Sequence, residues 1–507
     1  MMYQAQLTPR QRVSDMVFAP FNIEFGEYLP DLGFLDNPGV TDAKKVLPGM
    51  LAYDVFYRTA AYSSNAIDTT VALGAASFVS TAGTPFNFVG NATKIYSLTG
   101  GTAFDDVSRT AGGAYAPAAG EQWYFTSYGN LVIATDYTDV IQSYTMGSST
   151  DFAALSGSPP KARYLAQSGN HVMLGNINDG SALPFSVQWC KIGDPLTWST
   201  SIADQSGIQA LPSSKGAVQQ IVGGEYFTIF QEKGITRALY VGGDKMYQFD
   251  GVIGSIGTKA PGSVVTTPVG IFYLGTDGFR IFDGANCIPI GVNKVDRTWA
   301  DVINANSTYN LAGVRSVVDP YKPIVYVCCP TAGGTDAVIL AYNYSPNATK
   351  RWTYIQSSAS DLFQAYAGFV LKDVNNKEYF AVVSTDNSNT NAGFVRTFTS
   401  STEMTCNIVT GWQQIKPGKI VEIIAMMPLV EGATGGTASI TSSTNVSYAL
   451  GLPALGTTTL GAFSMDSRGI IYPRSNGLYH SINGIMSGDY TKFWGFQVLE
   501  YTETALR

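Results

Sequence analysis

Apolar residues along this chain come in short alternating runs, broken about every 8 to 12 residues by Gly, Asn, Asp or Pro. Alternation with period two places one face of a strand in a core and leaves the other in water. Regular breaks turn the chain back on itself, so the pattern predicts antiparallel sheets in a sandwich, barrel or propeller. Helical spacing is confined to Asn293–Ser307, where Val295, Trp299, Val302 and Ile303 share one face.

A weak recurrence narrows the choice. "FVGNATKIYSL" (Phe88–Leu98), "NLVIATDYTDVIQSYTM" (Asn130–Met146) and "VQWCKIGDPLTW" (Val187–Trp198) each end an apolar strand in a turn followed by another strand. Their centres lie about 45 to 55 residues apart, near the length of a four-stranded propeller blade. "MYQFDGVIGSIG" (Met246–Gly257) and "FRIFDGANCIPIG" (Phe279–Gly291) share an aromatic-Asp-Gly core. The fold expected is all-β: a β-propeller-like body of four-stranded blades, a smaller β domain and an irregular N-terminal arm. A pair of β-sandwiches is the second choice.

Three regions follow. Residues 1–45, rich in aromatics, Pro and Gly, read as an arm lying across another surface, with Phe18, Phe21, Phe25, Tyr28, Leu29 and Leu32 as its contacts. Residues 46–398 are the repetitive body. After the Ser/Thr-rich break at Thr397–Thr405, residues 399–507 form the smaller β domain.

Composition sharpens this picture. Only 14% of the 507 residues are charged, against about 25% in an average soluble domain, so large surfaces are expected to be hidden against other subunits. A net charge of −7 excludes the basic footprint of a protein that grips nucleic acid, but not a duct that lets DNA pass. Five scattered cysteines make a poor disulfide framework. The first residues lack the basic-then-apolar order of a signal peptide, and no apolar run is long enough to span a membrane.

Candidate chemistry is sparse. His171 and His480 are the only histidines, and neither sits beside a nucleophile motif. No HExxH, paired CxxC, P-loop, GxSxG or post-strand GxGxxG is present. Asp105, Asp106, Asp136, Asp139, Glu225, Asp244, Asp250, Asp277 and Asp283 could supply a glycosidase pair, and Asp244, Asp250, Asp277 and Asp283 could form calcium loops. Most stand beside Gly or in turns, where Asp caps its own backbone. No catalytic residue, metal ligand or cofactor is expected.

Several phrases, in order, resemble the tail nozzle (tail tubular or hub) proteins of short-tailed bacteriophages. They are "GEYLPDLGFLDNPGVTDAKKVLPG" (Gly26–Gly49), Phe88–Leu98, Asp105–Tyr144, "GSPPKARYLA" (Gly157–Ala166), Val187–Trp198, Tyr273–Trp299, "RSNGLYHSI" (Arg474–Ile482) and "FWGFQVLEY" (Phe493–Tyr501). At Leu478 the chain departs from the family, which has Arg there. The resemblance implies a homo-hexameric ring in the virion tail, assembled in the host cytoplasm below the portal-adaptor ring, with the arm of residues 1–45 gripping a neighbouring subunit or the adaptor. It also implies contact with tail fibres or spikes, and with the host envelope at the distal end. Double-stranded DNA would pass through the channel without sequence-specific binding, and no enzymatic activity is implied. The alternative is a receptor-binding or polysaccharide-degrading phage tail protein.

Overall fold

In the computed structural model, alternation becomes hairpins. Tyr124–Tyr128 pairs antiparallel with Leu131–Thr135 across a turn in which Gly129 takes φ +57°, a conformation that costs glycine nothing. Gln142–Thr145 and Ala153–Ala154 complete a four-stranded sheet in simple sequence order. The structure describes residues 20–505 apart from 34–36, 66, 68–70, 100, 306–310, 330–337, 357–366, 385–393, 433–434, 450–451, 460–462 and 488–489.

Seven such sets of four strands follow one another among the described residues, six of them as separate sheets and one, blade 6, as four consecutive strands of a larger sheet. Blade 1 covers 74–106, blade 2 124–154, blade 3 161–210, blade 4 218–253 and blade 5 265–289. Blade 6 runs from Arg315–Val318 to Trp352–Gln356, and blade 7 holds Ala367–Lys372, Glu378–Ser384 and Phe394–Thr397. The fourth strand of blade 7 is Ala60–Ala61, from the other end of the body. First strands of neighbouring blades lie side by side. Between blades 4 and 5 the short helix Pro261–Ser263 intervenes, and Ala367–Lys372 of blade 7 returns against Gly74–Val79 of blade 1. The sheets therefore form a closed ring, a seven-bladed β-propeller.

Each blade buries both faces against its neighbours. Blades 1 and 2 share Phe86, Phe88, Trp123, Val132, Tyr144 and Phe152. Blades 3 and 4 share Tyr164, Met173, Trp189, Ile221, Phe227 and Tyr247. The helix foreseen at Asn293–Ser307 is present as Asp296–Ala305.

The two aromatic-Asp-Gly phrases are not equivalent. "MYQFDG" opens the fourth strand of blade 4, whereas "FRIFDG" holds the third strand of blade 5. Phe88–Leu98 and Asn130–Met146 do occupy matching second-to-third-strand positions.

The chain divides into two compact units: the propeller, 57–346 with 354–401, and a second unit of 1–56, 347–353 and 402–507. The structure thus draws the boundaries differently from the expected 1–45, 46–398 and 399–507. In the second unit, Phe21–Glu24 pairs antiparallel with Glu24-facing Gly495 through Val498, so this stretch is a strand of the C-terminal domain and not a separate arm. One sheet runs Val46–Pro48, Tyr53–Val55, Lys492–Ala505, Lys419–Glu431, Ser475–Gly477. The other includes Val40–Lys44, Cys406–Thr410, Tyr479–Ser487 and Gly435–Ala449. They meet where Phe493 and Phe496 seat on Gly484, whose absent Cβ would stand 2.8 Å from the Phe493 ring.

Candidate functional site

Alternating strand directions put the second-to-third-strand turns and the blade-to-blade connections on one face of the propeller. On that face the first strands bring a charged and aromatic cluster to the axis. Arg315 opens the first strand of blade 6 and is 9% exposed. Its Nη2 donates to Gln122 Oε1 at 2.9 Å, and its guanidinium lies 5.1 Å from the Tyr124 ring centroid. Nη1 donates to the Val314 carbonyl at 3.1 Å. Gln122 and Tyr124 belong to the entry of blade 2, three blades away in one direction and four in the other. Their side chains can meet that of Arg315 only over the axis, which this contact bridges.

The cluster continues into blade 3. Tyr124 stands edge-on to Tyr164 with centroids 5.2 Å apart. Arg163 pairs with Glu121 at 2.7 Å and lies over the Tyr137 ring at 4.3 Å. Burial pushes the Tyr124 hydroxyl above its ordinary pKa, with Arg315 pulling the other way. Gly262, between blades 4 and 5, makes room for Arg315: a Cβ there would be 1.9 Å from Nη1.

A cavity of about 450 Å³ opens on the same face of blade 5, beside Lys259, Leu274, Thr276, Asp277, Asp296 and Trp299. Its carboxylates are already engaged. Asp277 receives Arg280 Nε at 2.8 Å and Nη2 at 2.6 Å, which holds its pKa down. Asp296 Oδ1 accepts the Phe279 N–H at 3.0 Å, and its carboxylate fills the space that a Cβ on Gly278 or Gly291 would need. Asp283 Oδ1 accepts the N–H groups of Ala285 and Asn286 at 2.8 and 2.7 Å, a self-capped turn.

The remaining acidic candidates are dispersed. Asp105 and Asp106 lie on the exposed outer strand of blade 1, Glu225 in a turn of blade 4 and Asp244 in a 3-10 turn, and Asp250 on the outer strand of blade 4. Asp136 and Asp139 alone of the candidates come together, at the second-to-third-strand turn of blade 2. Among the described residues no group of three or more His, Cys, Asp or Glu side chains is placed to hold a metal ion. No described helix is long and apolar enough to cross a membrane.

Both histidines are buried. His171 Nδ1 meets the Tyr247 hydroxyl at 3.0 Å and Nε2 the Gln205 carbonyl at 3.2 Å, and burial lowers its pKa. His480 has Ser475 Oγ 3.3 Å from Nδ1. Its Nε2 faces the carbonyls of Val421 and Gly477, both at 3.1 Å, where a triad would place a carboxylate. Burial pushes His480 down to about 4, and Ser475 is itself fully buried, so this pair is not a hydrolase site.

The six residues expected to grip a neighbour are divided. Phe18 lies outside the described residues. Phe25 is buried among Tyr53, Phe493 and Phe496. Tyr28 is buried too, bridging to Val40, and Leu29 packs back on Gly39. Phe21, half-buried, stands edge-on to Tyr501 at 5.1 Å. Leu32 is exposed. Phe25 and Tyr28 are therefore part of their own unit's core and not available to another subunit.

Sequence reasoning missed an apolar surface on the propeller rim. Ile208 on the outer strand of blade 3 is exposed, as are Ile202 in the preceding connection and Leu239, Tyr240 and Val241 on blade 4. The two blades are tied there by Tyr240 Oη donating to Gln205 Oε1 at 3.3 Å and Gln205 Nε2 donating to the Gly243 carbonyl at 3.2 Å.

No family model matches the chain, and no curated protein matches it. Among solved structures it is similar to the Neurospora crassa Pan2 WD40 domain, at 9% identity over 68% of this chain and 95% of that one, with a TM-score of 0.36. YCF48 bound to D1 peptide is similar at 11% identity over 68% and 96%, TM-score 0.38. YCF48 from Cyanidioschyzon merolae is similar at 10% over 67% and 98%, TM-score 0.35. The blade count and ring closure rest on this chain's own strand order.

Proposed function

We propose that this chain is a structural, non-enzymatic ring subunit of a short bacteriophage tail. In this reading a hexameric nozzle sits below the portal-adaptor ring, and its shared channel conducts DNA into the host. The carrying observation is the apolar rim of Ile202, Ile208, Leu239, Tyr240 and Val241 on a chain with only 14% charged residues. Such a surface suits burial against another subunit. The ordered phrases from Gly26 to Tyr501 supply the tail assignment. Because Arg315 bridges the propeller's own axis, the DNA path in this reading runs between copies and not through a propeller.

A polysaccharide-degrading tail protein is the second reading, favoured by Trp299 beside two carboxylates in the blade 5 cavity. The commitment of Asp277 to Arg280 and of Asp296 to backbone counts against it. The deciding experiment images the purified full chain, alone and mixed with portal-adaptor rings. Six-fold rings docked under the adaptor are expected. A chain that stays monomeric in the mixture overturns the nozzle reading, and turnover of host polysaccharide abolished by Asp277→Asn establishes the second.

A further inference from the structure

Where blades 1, 2 and 3 meet, a buried carboxylate lies beside another carboxylate. Asp136 follows the second strand of blade 2 and is 1% exposed. Its Oδ1 accepts the Asp139 N–H at 2.8 Å, and its Oδ2 is buried without a hydrogen-bond partner. Asp139 is differently placed: Oδ1 takes Arg109 Nη2 at 2.8 Å and Oδ2 the Ala116 N–H at 3.0 Å. An ionised carboxylate with a bare buried oxygen next to a second anion is costly, and a proton on Asp136 removes the conflict. We propose that Asp136 and Asp139 hold one proton between them and form a latch, closed in acid, that ties the blade 1–2 connection and the start of blade 3 to the turn at 136–141.

The surroundings fit a latch. From the blade 1–2 connection come Arg109, stacked at 4.5 Å on the Tyr115 ring, and Tyr115, whose hydroxyl donates to Gln142 at 3.3 Å. The Ala118 N–H donates to Thr138 Oγ1 at 2.9 Å. From blade 3 comes Lys161, whose ammonium donates to the Thr138 carbonyl, and Ala162, whose carbonyl accepts Thr135 Oγ1 at 2.5 Å. Arg163 lies over Tyr137 and pairs with Glu121. Tyr137 holds φ +66°, a left-handed conformation unfavourable for a tyrosine and kept by the contacts around it. Arg109 and Lys161 both serve acceptors other than Asp136, so no cation offsets its ionisation directly.

Burial, then the charge of Asp139, raises Asp136 to about 6. Burial also acts on Asp139, but the Ala116 amide and Arg109 outweigh it and lower its pKa. With the open-state carboxyl near 3.9, the latch is fully closed below about pH 4 and is lost as pH rises through 6. Between those values its opening constant grows about tenfold per pH unit, and above 6 it is flat.

The test is urea unfolding of the full chain at pH 4.5 and 6.5, comparing wild type with Asp136→Asn, which keeps a hydrogen-bond donor and cannot ionise. The ratio of wild-type to variant unfolding constants for the propeller should rise about 20-fold from the lower to the higher pH. A ratio that does not change overturns the latch. Should Asp136→Asn fail to fold, Asp139→Asn decides. Removing the neighbouring charge should shift the midpoint of the pH profile to lower pH, and an unshifted midpoint overturns the shared proton.

Discussion

Arg315 Nη2 and Gln122 Oε1, 193 residues apart in the chain, meet at 2.9 Å over the axis of the propeller. The guanidinium also covers Tyr124, so one side chain ties blade 6 to blade 2. Arg315→Ala should destabilise the propeller by about 2 kcal/mol through lost packing and an orphaned amide. Arg315→Lys should recover little of it, since an ammonium offers no planar fork to bridge amide and ring together. Urea unfolding of the two variants checks both statements, and equal stability of Arg315→Ala and wild type would refute them.

At Gly484 one sheet of the second unit receives the Phe493 and Phe496 rings of the other. A Cβ there would stand 2.8 Å from Phe493 and 3.1 Å from Phe496, and both rings are buried. Gly484→Val should cost roughly 1 to 3 kcal/mol by overpacking. Calorimetry should show the loss in the transition of this unit.

His480 gives the second unit a pH dependence opposite to that of the Asp136 latch. Below pH 6.5 the unfolded chain takes up a proton that buried His480 refuses until about pH 4. Its contribution is therefore present above 6.5 and lost as pH falls towards 4, by at most roughly 3 kcal/mol. His480→Gln should flatten this part of the profile. A wild-type slope retained in the variant would show that other groups set it.

On the rim, Leu239→Asp with Val241→Lys should abolish self-association while leaving the thermal midpoint of the isolated chain within a few degrees, because both side chains are exposed. Sedimentation over a concentration series separates the outcomes. Association that persists in the double variant places the subunit contact elsewhere.

The sequence carried the class of fold well. The hairpins of blades 1 and 2 follow directly from alternation and from turns such as Gly129–Asn130. Blade number was harder to read, because blade 5 covers 265–289 while blade 3 covers 161–210. The longer blade carries the connection 190–206, so no fixed period survives. Ala60–Ala61 has no strand signal of its own and becomes a strand only because Arg396 and Thr397 offer an edge. Phe25 looked like an exposed contact for the same reason: its partners Phe493 and Phe496 lie at the far end of the chain. The axial cluster was invisible, since Gln122, Tyr124, Arg163 and Arg315 form no motif and are assembled solely by ring closure. Asp136 and Asp139 were visible as residues, but their difference in environment depends on Arg109 and Ala116, which the turn itself does not contain.

The closing of the ring by Ala60–Ala61 also sets a timetable for synthesis. The edge that receives these residues, Phe394–Thr397, is made some 330 residues later. At about 5 to 20 residues per second that is a delay of roughly 20 to 60 s. Through that interval six blades can form as an open arc while the first blade waits without the last. Phe21–Glu24 waits longer still for Gly495–Val498. The propeller is thus closed only once Phe394–Thr397 has been made and the second unit only once Gly495–Val498 has followed, and a nascent chain stalled before residue 394 would present an unclosed ring and an unpaired sheet to whatever holds it.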